Sequence, residues 1–150
     1  MVTVYLGLGS NLGDRKAYLK AAIDGLRFIL TDIKESSIYE TDPQYVTDQP
    51  LFLNQVISGK TDLEALEFLK RCQDIQKQVG RMPQVMRFGP REIDIDILSF
   101  GDLVLQTDAI EIPHPRLHER LFVLEPLCEI DPHWICPRTG ESVKELIQKI

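Results

Sequence analysis

No apolar run in this chain approaches the roughly 20 residues needed to span a membrane, although 43% of its residues are hydrophobic. That leaves one soluble domain, and 150 residues supply enough chain for a real core. The opening Met1-Val2-Thr3-Val4-Tyr5 reads as a strand with neither a basic leader nor a cleavage site, so no secretion signal is expected. Cysteine is scarce. Cys72, Cys128 and Cys136 are odd in number and form no C-x-x-C pair, which reads as reduced, buried thiols in the cytoplasm. A phosphate-cradling P-loop is missing too, for want of G-K-[ST]. The segment Gly7 to Gly13 fails the dinucleotide spacing because Leu12 stands where the third glycine belongs. Its glycines are expected to make a tight strand-to-helix turn.

Acids are absent from Ile75 to Arg91, where Lys77, Arg81, Arg87 and Arg91 all fall. The whole chain is acidic, with 17 Lys+Arg against 23 Asp+Glu and a formal net charge of −6. A local basic segment in an acidic protein points to a small polyanion, since nucleic acid wants a broad positive surface. A solvated basic loop is the plain alternative for Lys77 and Arg87.

The most telling passage begins within that segment. Arg87-Phe88-Gly89-Pro90-Arg91-Glu92-Ile93-Asp94-Ile95-Asp96 joins an arginine-bearing loop to a strand. Residues i and i+2 of a strand share a face, so Asp94 and Asp96 project together while Ile93, Ile95 and Ile97 face the other way. Two carboxylates this close repel unless a cation sits between them. An ordinary half-solvated strand would explain D-x-D alone, but Asp is a poor strand former. With Arg87 and Arg91 upstream, the pattern suits Mg²⁺ on the carboxylates and phosphate on the guanidinium groups.

The coarse order of elements is legible. Val2–Leu8 reads as a strand, and a helix runs from about Asp14 to Leu30 on the stripe Leu19, Ala22, Ile23, Leu26 and Leu30. Ile33–Thr41 is a second strand, residues 42 to 50 a proline-bearing loop, and Phe52–Gly59 a third strand. Thr61-Asp62-Leu63-Glu64 has the form of a capping box, and its helix is expected to stop at a left-handed Gly80. Residues 81 to 91 form a loop, Glu92–Phe100 is the fourth strand, and Leu103–Leu105 a short one. Short helices come after Pro113, including one near Ser142–Ile150. The order β-α-β-β-α-β predicts a ferredoxin-like α+β fold: an antiparallel sheet with helices on one face, plus a C-terminal helical extension.

Several side chains remain to be placed. His114 and His118 stand four apart, but Pro115 suits a first helical position and leaves His114 outside the helix face. A zinc pair is therefore disfavoured, and His114 fits better as a neutral donor to phosphate or ribose. Phe52 and Asn54 share a strand face, and an aromatic plane beside an amide suits a flat heterocycle; a core Phe and a turn-facing Asn would explain them equally. Gln73 and Gln76 are helix neighbours that could reach a nucleotide or form a wet face.

These residues resemble the 6-hydroxymethyl-7,8-dihydropterin pyrophosphokinase family. The resemblance runs from the first strand to about Pro132. It rests on Gly9-Ser10-Asn11-Leu12-Gly13-Asp14, Gln49-Pro50-Leu51-Phe52-Leu53-Asn54, Gly80-Arg81, the Arg87–Asp96 passage, and Pro113-His114-Pro115-Arg116-Leu117-His118-Glu119-Arg120. It implies a single cytoplasmic pyrophosphokinase domain over 1–150, using ATP and the pterin, with no nucleic acid, membrane or obligate protein partner. The β,γ-pyrophosphoryl group of ATP would pass to the pterin hydroxymethyl oxygen, releasing AMP, in folate biosynthesis. Asp94 and Asp96 would ligate two Mg²⁺ ions. Arg81, Arg91 and Arg120 would contact phosphates, and Arg87, Gln73, Gln76 and His114 would complete the nucleotide side. Thr41, Asp42, Phe52, Asn54, Phe88 and Phe122 would meet the pterin.

This chain departs from the family pattern in three places: Gln76 replaces a usual Glu, Pro83 a common basic residue, and Phe88 a usual Trp. Rival readings are a ferredoxin-like sensor without chemistry and an Mg²⁺-dependent nucleotidyl transferase. The sensor does not explain the arginine loop and the Phe52/Asn54 face together, and the nucleotidyl transferase would release pyrophosphate rather than AMP.

Overall fold

Apolar alternation in the first strand sets the layers. The computed structural model describes residues 1–41, 51–80 and 93–150. Val4, Leu6 and Leu8 of β1 (Val2–Ser10) are buried on one face of the sheet. Against them pack Leu19, Ala22, Ile23 and Leu26 of α1 (Arg15–Leu26) and Phe68, Cys72 and Ile75 of α2 (Ala65–Val79). The other strands are β2 (Thr31–Glu35), β3 (Tyr39–Thr41), β4 (Phe52–Thr61) and β5 (Asp94–Phe100). The main sheet runs β2-β4-β1-β5, with β3 also on β4, and every pairing is antiparallel. With two helices covering one face, this is the ferredoxin-like plan expected from the element order.

The chain end covers the other face. After the small ribbon β6 (Leu105–Gln106) and β7 (Glu111–Ile112) come a 3₁₀ turn (Leu117–Glu119), α3 (Leu121–Ile130) and α4 (Val143–Gln148). Leu117, Val123, Leu124, Leu127, Trp134, Val143 and Leu146 form a second core with Val56 and Leu98 of the sheet. The expected helical extension is therefore a third layer. A bulge in β5 serves it: Leu6 pairs with Ile97 but Tyr5 with Ser99, leaving Leu98 as the extra residue. Leu98 and Ser99 both turn to the second core, where Ser99 Oγ accepts the Trp134 indole N–H at 3.3 Å.

Three local expectations need correction. The strand expected over 33–41 breaks between β2 and β3, because side chains satisfy the backbone at the kink. Val56 N–H donates to Ser36 Oγ at 2.9 Å, Gln55 Nε2 to the Ser36 carbonyl at 2.9 Å, and Glu129 Oε2 accepts from both Ser37 N–H and Ser37 Oγ–H. The capping box does not form. Thr61 is held in β4 opposite Val2, its Oγ1 accepts from Leu63 N–H at 3.1 Å, and the helix cap is Glu64 without a side-chain bond. Gly80 ends α2 at φ −94°, so the stop is not left-handed. Gly59 sits in close quarters: a Cβ there would meet Leu30 Cβ at 3.0 Å and the Thr31 carbonyl at 3.2 Å, so a side chain would force its neighbours to shift.

Candidate active site

Gly7 and Gly9 lie inside β1, not in a turn, and this corrects the reading of the glycine segment. Only Gly13, at φ 67°, takes the left-handed turn before α1, where Asp14 Oδ1 caps the helix by accepting Ala17 N–H at 3.2 Å. Within the sheet Gly9 pairs with Asn54 on one side and Asp94 on the other. Gly7 likewise stands between Val56 and Asp96. With strands about 4.8 Å apart, Asp94 and Asn54 face each other across roughly 10 Å with no side chain between them. Glycine inside a strand marks a place where something else must come close to the backbone.

The two ends of this row carry different chemistry. Ile93, Ile95 and Ile97 are buried in the first core, so Asp94 and Asp96 point to the opposite face, Asp94 half-buried and Asp96 exposed. At the other end Asn54 is only 9% exposed, and its Nδ2 donates to Thr41 Oγ1 at 2.5 Å. That bond fixes the carboxamide, leaving Oδ1 turned toward Gly9, 3.6 Å from where a Cβ would stand. Phe52 pairs with Thr41, and its Cδ1 lies 3.7 Å from the same point. Thr41, Phe52 and Asn54 are thus assembled beside one glycine.

His114 comes after the cis Ile112–Pro113 bond and docks on the outer edge of β5, donating its N–H to the Leu98 carbonyl at 2.9 Å. Its Nδ1 accepts from Arg116 N–H at 3.1 Å, so the neutral ring carries its proton on Nε2. Burial, then the charge of Arg120, pushes the imidazole down from its ordinary 6.5 to about 4, while Glu111 pulls weakly the other way. His114 is therefore a neutral donor at physiological pH. A histidine lowered on folding stabilises the native state fully above its unfolded value and loses that contribution as the pH falls from 6.5 toward 4. An NMR titration of the ring is expected to show a midpoint near 4; a midpoint above 6 would contradict the buried, neutral assignment.

Arg120 caps α3, its guanidinium 5.7 Å from the centre of the Phe122 ring. Its Nε is buried with no hydrogen-bond acceptor among the described residues. Phe122 packs against the second core, the side of the sheet that Asn54 and the carboxylates face. Gln76 is turned to the structure itself, its Oε1 accepting Ile95 N–H at 3.1 Å, while Gln73 is exposed one turn earlier on α2. Asp42, Arg81, Pro83, Arg87, Phe88 and Arg91 lie outside the described residues.

One contributor escapes a reading of the sequence. Arg15, the first residue of α1, uses Nη1 to reach the Leu51 carbonyl at 2.7 Å and Glu40 Oε2 at 3.2 Å. It ties the end of β3 to the start of β4, where Thr41 and Phe52 sit. No local pattern marks such a residue, since both partners are distant in sequence.

An antiparallel sheet with α1 and α2 packed on one face places the chain among ferredoxin-like α+β folds. The chain belongs to the 7,8-dihydro-6-hydroxymethylpterin-pyrophosphokinase family, whose family model matches residues 5–132. It is 44% identical over 145 residues to the 2-amino-4-hydroxy-6-hydroxymethyldihydropteridine pyrophosphokinase of Aquifex aeolicus, covering 97% of this chain and 90% of that one. The Bacillus subtilis protein of the same name is 48% identical over 128 residues, covering 84% and 76%. Among solved structures, wild-type Plasmodium falciparum HPPK-DHPS superposes with a TM-score of 0.76 at 16% identity, over 99% of this chain. This chain spans 44% of that longer protein, and the likeness supports the fold.

Proposed function

We propose that this chain, acting as one domain over 1–150, is a transferase that moves the β,γ-pyrophosphoryl group of ATP to 6-hydroxymethyl-7,8-dihydropterin in folate biosynthesis. The hydroxymethyl oxygen attacks the β-phosphorus, the bond to the bridging oxygen of the α-phosphate breaks, and AMP leaves. The hydroxyl proton is lost to solvent. The observation that supports this reading is the row Asp94–Gly9–Asn54, in which a strand bearing two carboxylates and a strand bearing an amide and an aromatic ring flank one glycine on the same face of the sheet.

The residues fit Mg²⁺ as the family implies it. Two same-face carboxylates are few ligands for a metal cage, and the described residues hold no group of three or more His, Cys, Asp or Glu that could bind an ion alone. Mg²⁺ commonly takes one or two carboxylates and fills its remaining positions with water and substrate phosphates. Asp94 and Asp96 would hold two such ions, whose chemistry is to neutralise the triphosphate and lower the pKa of the attacking hydroxyl.

The remaining work falls to this chain's own groups. Asn54 and Thr41 read the pterin edge, Phe52 and Phe122 offer aromatic planes, and His114 gives the nucleotide a neutral N–H. Arg120 takes a phosphate oxygen. We assign Arg81, Arg87 and Arg91 to phosphates, Gln73 to the nucleotide, and Asp42 and Phe88 to the pterin on the family pattern alone. Pyrophosphoryl transfer asks mainly for alignment and charge neutralisation, which such a set supplies without a covalent intermediate.

Location goes with the co-substrate. ATP is a cytoplasmic metabolite, and no helix among the described residues is long and apolar enough to cross a membrane. The Aquifex aeolicus relative is matched over 90% of its length, so a polypeptide of this extent serves there without a fused partner.

Product analysis with ATP, Mg²⁺ and the pterin tests the reading. AMP and a pyrophosphorylated pterin in equal amounts are expected. Release of inorganic pyrophosphate would identify a nucleotidyl transferase, and absence of turnover a binding module.

A further inference from the structure

β5 is the last strand in the order β2-β4-β1-β5, so among the described residues only one of its edges pairs within the sheet. In an antiparallel pair alternate residues turn their N–H groups toward and away from the partner. Ile95 N–H turns away, since it donates to Gln76 Oε1. The N–H groups of Asp94 and Asp96, one residue to either side, therefore turn inward to β1. The outward N–H midway between the two carboxylates is thus held by one side chain from α2. That helix is itself anchored, because Ile75 beside Gln76 packs into the same core as Ile93 and Ile95. Three residues further along, the outer edge is held again where His114 N–H donates to the Leu98 carbonyl.

We infer that Gln76 is a positioning residue for the carboxylate pair: its side-chain oxygen pins the β5 backbone between Asp94 and Asp96 and sets their common direction. The inference deepens the proposed function and rests on it. Position 76 then requires an acceptor toward Ile95 N–H, which a carboxamide and a carboxylate both provide. A residue that instead held the nucleotide directly would have its oxygen turned to the open face and not to the strand.

The test compares wild type with Gln76→Glu, which keeps the acceptor, and Gln76→Leu, which removes it at similar size. Two quantities are read: exchange of the Ile95 amide without ligands, and the Mg²⁺ concentration giving half-saturation with α,β-methylene-ATP. In Gln76→Leu the Ile95 amide should exchange at least about tenfold faster, and half-saturating Mg²⁺ should rise by about tenfold, the scale set by groups that orient metal ligands. Pterin affinity should stay within about twofold, and Gln76→Glu should match wild type in both readouts.

Unchanged exchange and unchanged Mg²⁺ dependence in Gln76→Leu would overturn the inference. So would lost nucleotide affinity at saturating Mg²⁺ with Ile95 still protected, which would make Gln76 a direct nucleotide ligand. Should Gln76→Leu fail to fold, the wild-type exchange decides: an unprotected Ile95 amide overturns the proposal and a protected one sustains it. A wild-type enzyme that released no AMP would sink the functional reading and leave the Ile95 measurement standing.

Discussion

Asp94→Ala and Asp96→Ala should each lower kcat by about a thousandfold or more, corresponding to about 4 kcal/mol of lost transition-state stabilisation. Both side chains stand on the site face of β5, away from the core that Ile93, Ile95 and Ile97 fill. Neither substitution opens a cavity in that core, so both variants should still fold. Turnover at saturating Mg²⁺, read beside a thermal melt, separates the two effects. A folded variant with near-normal Mg²⁺-dependent rate would remove that residue from the metal site. Pterin affinity should change far less than the rate, because Asn54 and Phe52 lie on another strand.

Filling the gap over Gly9 should block the other substrate. A Cβ at this position would stand 3.6 Å from Asn54 Oδ1 and 3.7 Å from Phe52 Cδ1, ordinary contact distances that alanine can meet. The two γ-methyl groups of Gly9→Val would reach further, into the space between the amide and the ring. Valine is a good strand former and glycine a poor one, so the sheet itself should tolerate the change. We expect pterin Kd to rise by about 30-fold in Gly9→Val, about 2 kcal/mol, and several-fold less in Gly9→Ala. Nucleotide affinity should move little. Titration of the pterin by its own fluorescence measures this, and normal binding to Gly9→Val would place the heterocycle elsewhere.

The carboxylate pair and the amide–aromatic pair are legible in the sequence because both obey the two-residue period of a strand. Asp94 with Asp96, and Phe52 with Asn54, share faces whatever the strands pair with. That the two pairs meet is not legible, since register across β5, β1 and β4 depends on long-range pairing. Gly7 and Gly9 read as turn residues for the same reason. Glycine signals turns and close approaches alike, and only the neighbours Asp94 and Asn54 decide between them.

His114 is legible as a neutral donor from Pro115 beside it, although the burial that lowers its pKa to about 4 is not. Thr61 shows the reverse case, a sound capping pattern overridden by the last rung of strand pairing with Val2. The third layer is invisible as a layer because its partners, Val56 and Leu98, are single residues on the second face of strands already explained by their first. Arg15 and Gln76 act through backbone groups of residues 36 and 19 positions away, contacts that no local spacing encodes.

The most direct measurement is a crystal structure with Mg²⁺, α,β-methylene-ATP and 6-hydroxymethyl-7,8-dihydropterin bound together, the analogue being inert at the bond that should break. Metal density is expected against Asp94 and Asp96, with the heterocycle edge on Asn54 and Thr41 across Gly9 and the hydroxymethyl oxygen directed at the β-phosphorus. A pterin bound on the α1/α2 side of the sheet, or a triphosphate held away from both carboxylates, would contradict this arrangement.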